Sequence, residues 1–181
     1  IQFFIFDKIM NFIIFPHQLF EDINPLKDFK NIYLIEHPIF FGYRNELMLF
    51  NKKKLVLHSA STQIYRDYLK KNLKSKIIYI PIQKIKNKKN YDFFKNIKGS
   101  TSLYNPVDHL LSSYIEKYSK MNNITVTQLE TPNFITSEED LSNYYKTVKN
   151  RKKPFYQTGF YKWQRERLDI LMKNGKPIGG K

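Results

Sequence analysis

The sequence predicts an α/β fold: a doubly wound, five-stranded parallel sheet with helices on both faces, ending in a junction helix. Three observations carry this expectation. Short apolar runs recur at 11–15, 31–36, 76–82, 100–104 and 124–129, and the first two look like buried strands rather than half-exposed alternating ones. Segments with apolar residues three and four apart fall between several of these runs, and strand–helix–strand alternation implies parallel neighbours joined by crossovers. With 41% hydrophobic and 16% aromatic residues among 181, the chain can fill one substantial core.

Residues 1–9 (IQFFIFDKI) are apolar but interrupted by Asp7, with no basic segment before them and no small-residue cleavage site after. They read as an extension ahead of an α/β domain at 10–136, rather than as a signal peptide. The strand at 11–15 is closed by Pro16 and the one at 31–36 by Pro38. Between Leu49 and Leu73 the spacing turns helical, with Leu57, Ser61, Ile64, Tyr65, Tyr68 and Leu69 on one face and Lys70 and Lys71 complementing the dipole near its end. A strand at 76–82, a short helix at 91–97 and a weak strand at 100–104 follow. Asn105-Pro106 then sets up a helix with Asn105 as cap, Pro106 at its first position and Asp108 in its first turn. Val107, Leu110, Leu111, Tyr114, Ile115, Tyr118 and Met121 keep helical spacing until Asn122-Asn123, before the strand at 124–129.

Residues 137–181 read as a helical segment leading to a further domain. Ser137 caps one helix, with Glu138, Glu139 and Asp140 in its first turn. The last helix spans 158–172, with Lys162 to Glu166 and Arg165 to Asp169 as i,i+4 pairs. Asn174-Gly175 and Pro177 then predict a turn leading onward, yet the chain stops at Gly179-Gly180-Lys181. It reads as the front part of something larger.

Composition excludes several functions. Without cysteine there is no disulfide, thiolate metal site, thiol nucleophile or iron-sulfur ligation by this chain, and an intracellular compartment is expected. No window approaches the roughly 18 apolar residues of a membrane span, so a soluble protein is expected. The net charge of +15 suggests a polyanionic partner, tempered by Arg standing only at 44, 66, 151, 165 and 167 and by an Ile- and Asn-rich composition. His17, His37, His58 and His109 lack metal-ligand spacing, and no metal is expected. In a doubly wound sheet the ligand site lies beyond the strand carboxyl ends where strand order reverses, which points to Phe15-Pro16-His17-Gln18 and Glu36-His37-Pro38. Neither GxGxxG nor a P-loop accompanies them. Lys52-Lys53-Lys54 reads as a solvated helix start, residues 84–89 as a loop held open by charge, and Trp163 equally as core.

Six segments in order carry a resemblance: IIFPHQLF at 13–20, LIEHPIFF at 34–41, NKKKLVLHSAS at 51–61, YNPVDHLL at 104–111, ETPNFITS at 130–137 and FYKWQRERLDILMKNGKPIGGK at 160–181. Together they resemble the amino-terminal half of the deoxyribodipyrimidine photolyase-related proteins, which include the bacterial iron-sulfur photolyases and cryptochromes. The resemblance implies a Rossmann-like domain able to hold a lumazine-type antenna chromophore. FAD, the iron-sulfur cluster and lesion docking would belong to a helical half absent here, the expected partner in cis or as a separate chain. On the same ground Phe15, Pro16, Gln18 and Glu36 are candidate chromophore-binding residues. Lys162, Arg165 and Arg167 are candidates for contact with DNA or with the missing half, and no residue is assigned a catalytic role. Asn51 stands where antenna-binding members often carry His, and Pro16-His17 replaces their Gly-Asp. The implied function is an antenna-type domain inactive alone in light-driven repair; a stand-alone nucleic-acid-binding or scaffold module is the alternative. A small-ligand enzyme has no nucleophile–base pair to recommend it.

Overall fold

The computed structural model describes residues 10–42, 50–150 and 154–179; the proposed extension at 1–9 and the expected helix start at Leu49 lie outside them. The chain divides into two compact units, one up to Pro132 and one from Asn133 onward.

In the first unit Asn11–Ile14 (β1) is buried along its whole length and sits at the centre of a five-stranded sheet. Asn31–Ile35 (β2) and Lys76–Ile80 (β3) lie on one side of it, Thr101–Tyr104 (β4) and Val126–Leu129 (β5) on the other. The order is β3-β2-β1-β4-β5 and every pairing is parallel, so the predicted doubly wound sheet is present. Alternate β1 residues serve opposite faces. Phe12 and Ile14 join Ile32, Leu34, Tyr65 and Leu69 in one core, while Ile13 and Phe15 join Ile35, Phe94, Leu103, Leu111 and Ile115 in the other. The helices Lys52–Asn72 (α1) and His109–Met121 (α2) cover these two faces. At the amino end of the sheet buried Asn11 donates to the Lys98 and Ser100 carbonyls at 2.9 and 3.2 Å and accepts from Asn31 Nδ2 at 3.0 Å. That bonding fixes the register of three strands without stranding a polar group in the core.

Three local expectations are corrected. On α1 the buried stripe is Thr62, Tyr65 and Leu69, whereas Leu57 and Ile64 are 65% and 70% exposed. Tyr65 decides the rotation, since its hydroxyl donates to the Phe20 carbonyl at 2.8 Å while its ring stays in the core. Residues 91–97 form turns, not a helix: the Asp92 carboxylate accepts from the Phe94 N–H and from Asn122 Nδ2, pinning the segment while Phe93 and Phe94 are driven into the core. The cap of α2 is Asp108, which accepts from the Leu111 N–H at 3.0 Å, so Asn105 and Pro106 precede the helix. Asn105 instead accepts from the Val107 N–H, and Val107 takes a left-handed φ of 52° that breaks the helical run.

In the second unit Glu138–Asn150 (α3) opens with the predicted Ser137 cap. Ser137 Oγ accepts from the Asp140 N–H at 2.9 Å, and the Asp140 carboxylate accepts from the Ser137 N–H at 3.0 Å. Gln157–Arg167 (α4) ends five residues before the expected Met172, because residues 172–177 form a hairpin. Its strands are Met172–Lys173 (β6) and Lys176–Pro177 (β7), and Asn174 and Gly175 make the two-residue turn with φ of 50° and 69°.

The cap assignment is testable by urea denaturation. Asp108→Ala is expected to destabilise the protein by about 1 kcal/mol, the usual worth of an N-cap, with Asn105→Ala costing less.

Candidate functional site

The place where strand order reverses lies between β1 and β4, and its loops are tied together by side chains of the chain itself. Gln18 is 1% exposed and every part of its amide is used: Oε1 accepts from the Phe15 N–H, and Nε2 donates to the Tyr104 and Asn105 carbonyls at 3.0 and 3.4 Å. Next to it His17 Nε2 lies 2.9 Å from the Pro106 carbonyl oxygen, which fixes the proton on that nitrogen and leaves Nδ1 bare. Phe15 and Pro16 are buried beneath this tie.

A second tie joins β2 to β3. Glu36 is fully buried, and its two oxygens accept from the Tyr79 hydroxyl at 2.6 Å and the Ile82 N–H at 2.9 Å. Burial and this bond to Glu36 raise the Tyr79 hydroxyl to about 12, so it remains a donor. Tyr79 also bonds Ser59 on α1, and Gln63 Nε2 donates to Ser59 Oγ at 3.3 Å. Gln63, Ser59, Tyr79 and Glu36 thus form one continuous polar chain from helix to sheet end.

Open space lies on the outer side of that chain. A cavity of about 630 Å³ is bounded by Phe41, Leu55, Val56 and Ile82, with Ser59, Gln63, Gln83 and Lys88 supplying polar groups. Behind it stands a wall of rings. His17 stacks on Phe40 at 4.7 Å, His58 meets Phe40 and Phe41 edge-on or tilted, and His37 sits among Phe15, Tyr91, Phe93 and Tyr114. Burial lowers the affinity of all three imidazoles for a second proton, and His37 is pushed down to about 3. Among the described residues no group of three or more His, Asp or Glu is placed to hold a metal ion, and no helix is long and apolar enough to cross a membrane.

The family model described as deoxyribodipyrimidine photo-lyase-related protein matches residues 12–181. This chain belongs to the photolyase-related protein family. It is also similar to the uncharacterized protein R852 of Acanthamoeba polyphaga mimivirus, 34% identical over an alignment of 175 residues, with 93% of this chain and 88% of the viral protein covered. Within this photolyase-related chain, Phe15, Pro16, Gln18 and Glu36 come together as the frame around the strand ends; Ser59 and Ile82, which line the cavity, connect it to Glu36. Sequence reasoning missed Ser59, Gln63, Tyr79 and Gln83. The available signal was Tyr79, a hydroxyl among the isoleucines of the strand KIIYI, where a Tyr taken out of water requires a partner.

In the second unit Arg165 and Arg167 turn inward. Arg165 donates to the Ile170, Leu171 and Ile178 carbonyls, holding the hairpin against α4 instead of pairing with Asp169. Arg167 bonds Asp140 at 3.1 Å and the Ile135 carbonyl, and lies over the Trp163 ring. Lys162 is exposed.

His37 makes stability pH-dependent. In the unfolded chain it takes a proton near 6.5, and in the fold only near 3. Between those values the unfolded state binds the extra proton, so stability present above pH 6.5 is lost as pH falls toward 3. Urea midpoints at pH 7, 5.5 and 4.5 are expected to decrease in that order. His37→Asn keeps an acceptor for the Ile39 N–H, which His37 Nδ1 now serves, and is expected to flatten the trend.

Proposed function

We propose that this chain is the antenna-type domain of a photolyase- or cryptochrome-related protein, and that the cavity beside α1 holds a planar chromophore of the lumazine type. The cavity carries this reading. Its volume of about 630 Å³ suits a ligand of that size, with apolar walls and a few polar groups on the β3 and α1 side. Phe41, Leu55, Val56 and Ile82 would supply apolar contact, Ser59, Gln63 and Gln83 donors and acceptors for a heterocycle edge, and Lys88 a positive charge. Phe15, Pro16, Gln18 and Glu36 would act by holding the surrounding loops rigid. The chromophore, when bound, supplies light absorption; the protein's part is to bind it, orient it and exclude water.

In this reading photorepair belongs to a helical partner carrying FAD and an iron-sulfur cluster, and the domain alone does not repair DNA. Zero cysteines support placing thiolate ligation elsewhere. The partner is joined in cis or as a separate chain. A stand-alone basic nucleic-acid-binding or scaffold module is the second reading, favoured by 31 Lys and Arg against 16 Asp and Glu.

Fluorescence anisotropy of a ribityl lumazine titrated with the purified chain tests the proposal. Saturable binding is expected, weakened at least ten-fold by Ala60→Trp, which fills the cavity from an exposed helix position. Stoichiometric FAD in the purified chain, or equal lumazine binding by Ala60→Trp, would overturn it.

A further inference from the structure

The helical unit contains a cavity of its own, independent of the chromophore reading. Residues of α3 and α4, with Pro154 between them, bound about 460 Å³, a volume within the range of small-ligand sites. Tyr144 stands in its lining as a buried side chain, 5% exposed, with the rings of Phe155, Phe160 and Trp163 centred 5.6, 5.1 and 5.1 Å away. Those rings engage its ring only. Among the described residues nothing hydrogen-bonds the hydroxyl, which lies beside Gly159, where a Cβ would come within 2.9 Å of its oxygen. A buried hydroxyl is ordinarily paired, so this one calls for a partner from within the cavity.

The lining also holds one charge of each sign. Sequence spacing predicts Lys162 and Glu166 as a helix-supporting pair, yet among the described residues neither side chain makes an ion pair or a hydrogen bond, and both line the cavity. Gly159, Lys162 and Glu166 follow one another at three and four positions, on one face of α4. The Tyr144 hydroxyl therefore lies at the Lys162 end of that face, and Glu166 comes about 6 Å further along the helix axis than Lys162. Tyr156, Val148 and Pro154 add apolar surface, while the Trp163 ring, already engaged by Arg167 and Phe160, serves as a wall.

We propose that this cavity binds a free α-amino acid with an aromatic side chain. The Lys162 ammonium and the Tyr144 hydroxyl donate to its carboxylate, the Glu166 carboxylate accepts from its ammonium, and its ring lies against Tyr156, Val148 and Pro154. The two charges decide the ligand class. A simple anion would satisfy Lys162 and Tyr144 but face the Glu166 carboxylate, and a simple cation would face the Lys162 ammonium. An α-amino acid carries both charges on one carbon, within reach of two side chains one helical turn apart. A zwitterion without a side chain would leave the apolar walls uncovered.

Trp163 is the only tryptophan of the chain, so selectively excited tryptophan fluorescence reports on the cavity, and phenylalanine adds no emission of its own. The full chain is titrated with L-phenylalanine and with three analogues: phenethylamine lacks the carboxylate, 3-phenylpropionate the ammonium and glycine the ring. L-phenylalanine is expected to give a saturable change, and each analogue to bind roughly ten-fold or more weakly. Tyr144→Phe removes the hydroxyl alone and should weaken L-phenylalanine about five-fold. Lys162→Met should weaken L-phenylalanine and 3-phenylpropionate by about the same factor and leave phenethylamine unchanged. Glu166→Gln should do the reverse, weakening L-phenylalanine and phenethylamine but not 3-phenylpropionate. Lys162 and Glu166 are exposed, so these two variants test the site even where Tyr144→Phe disturbs packing, and unchanged far-ultraviolet circular dichroism verifies the fold. The proposal is overturned by the absence of a saturable response to L-phenylalanine, by equal binding of any of the three analogues, or by folded charge variants that bind L-phenylalanine as the native chain does.

Discussion

The strand β1 has no solvent face. Asn11, Phe12, Ile13 and Ile14 are each 1% exposed or less, with alternate side chains feeding two separate cores. Each fully buried aliphatic or aromatic side chain contributes about 1.5–3 kcal/mol, so a strand of this kind is stable only with hydrogen-bonded neighbours on both edges and a covering layer on both faces. The parallel order and the positions of α1 and α2 follow from that requirement. So does the location of the polar chemistry, which is confined to the strand ends.

At those ends the buried polar groups act as ties. A buried donor or acceptor without a partner costs about 1–3 kcal/mol, and the Gln18 amide and Glu36 carboxylate are accordingly bonded to backbone or to Tyr79. Gln18 and His17 draw the loops after β1 and β4 together across the reversal in strand order, where an open α/β sheet commonly receives its ligand. Space remains on the flank of β3 and α1, where Ser59, Gln63 and Gln83 present side chains. The open cavity of this fold therefore lies one layer outside the strand-end motifs.

The helical unit is held together differently. Tyr144 is its one buried residue among those described, and it is surrounded by rings rather than by aliphatic side chains. Arg165 and Arg167 carry the rest through carbonyl oxygens and Asp140. Guanidinium groups suit this work because their fixed fork of donors can satisfy several carbonyls at a helix end. The basic residues of this segment thus fall into two classes, those spent on the fold and those such as Lys162 left facing solvent.

The strands could be read from the sequence because a strand buried on both faces carries consecutive apolar residues, as in Phe12-Ile13-Ile14 and Ile32-Tyr33-Leu34-Ile35, and the Ser137 cap because its reciprocal bonds are local. The rotation of α1 could not be, since Leu57 and Ile64 are as apolar as Leu69; the Tyr65 bond to a carbonyl 45 positions away selects the stripe. Likewise Asp108 and Asn105 are equivalent as potential caps until Val107 adopts its left-handed turn. The candidate site divides in the same way. The sequence by itself determined the fold class, the family and the strand-end residues Phe15, Pro16, Gln18 and Glu36, because runs and motifs are local patterns. Only the tertiary structure decided that Gln18 and Glu36 are tied inward and that the cavity opens beside Ser59 and Gln63, because hydrogen-bond partners distant in sequence determine where a polar side chain is spent.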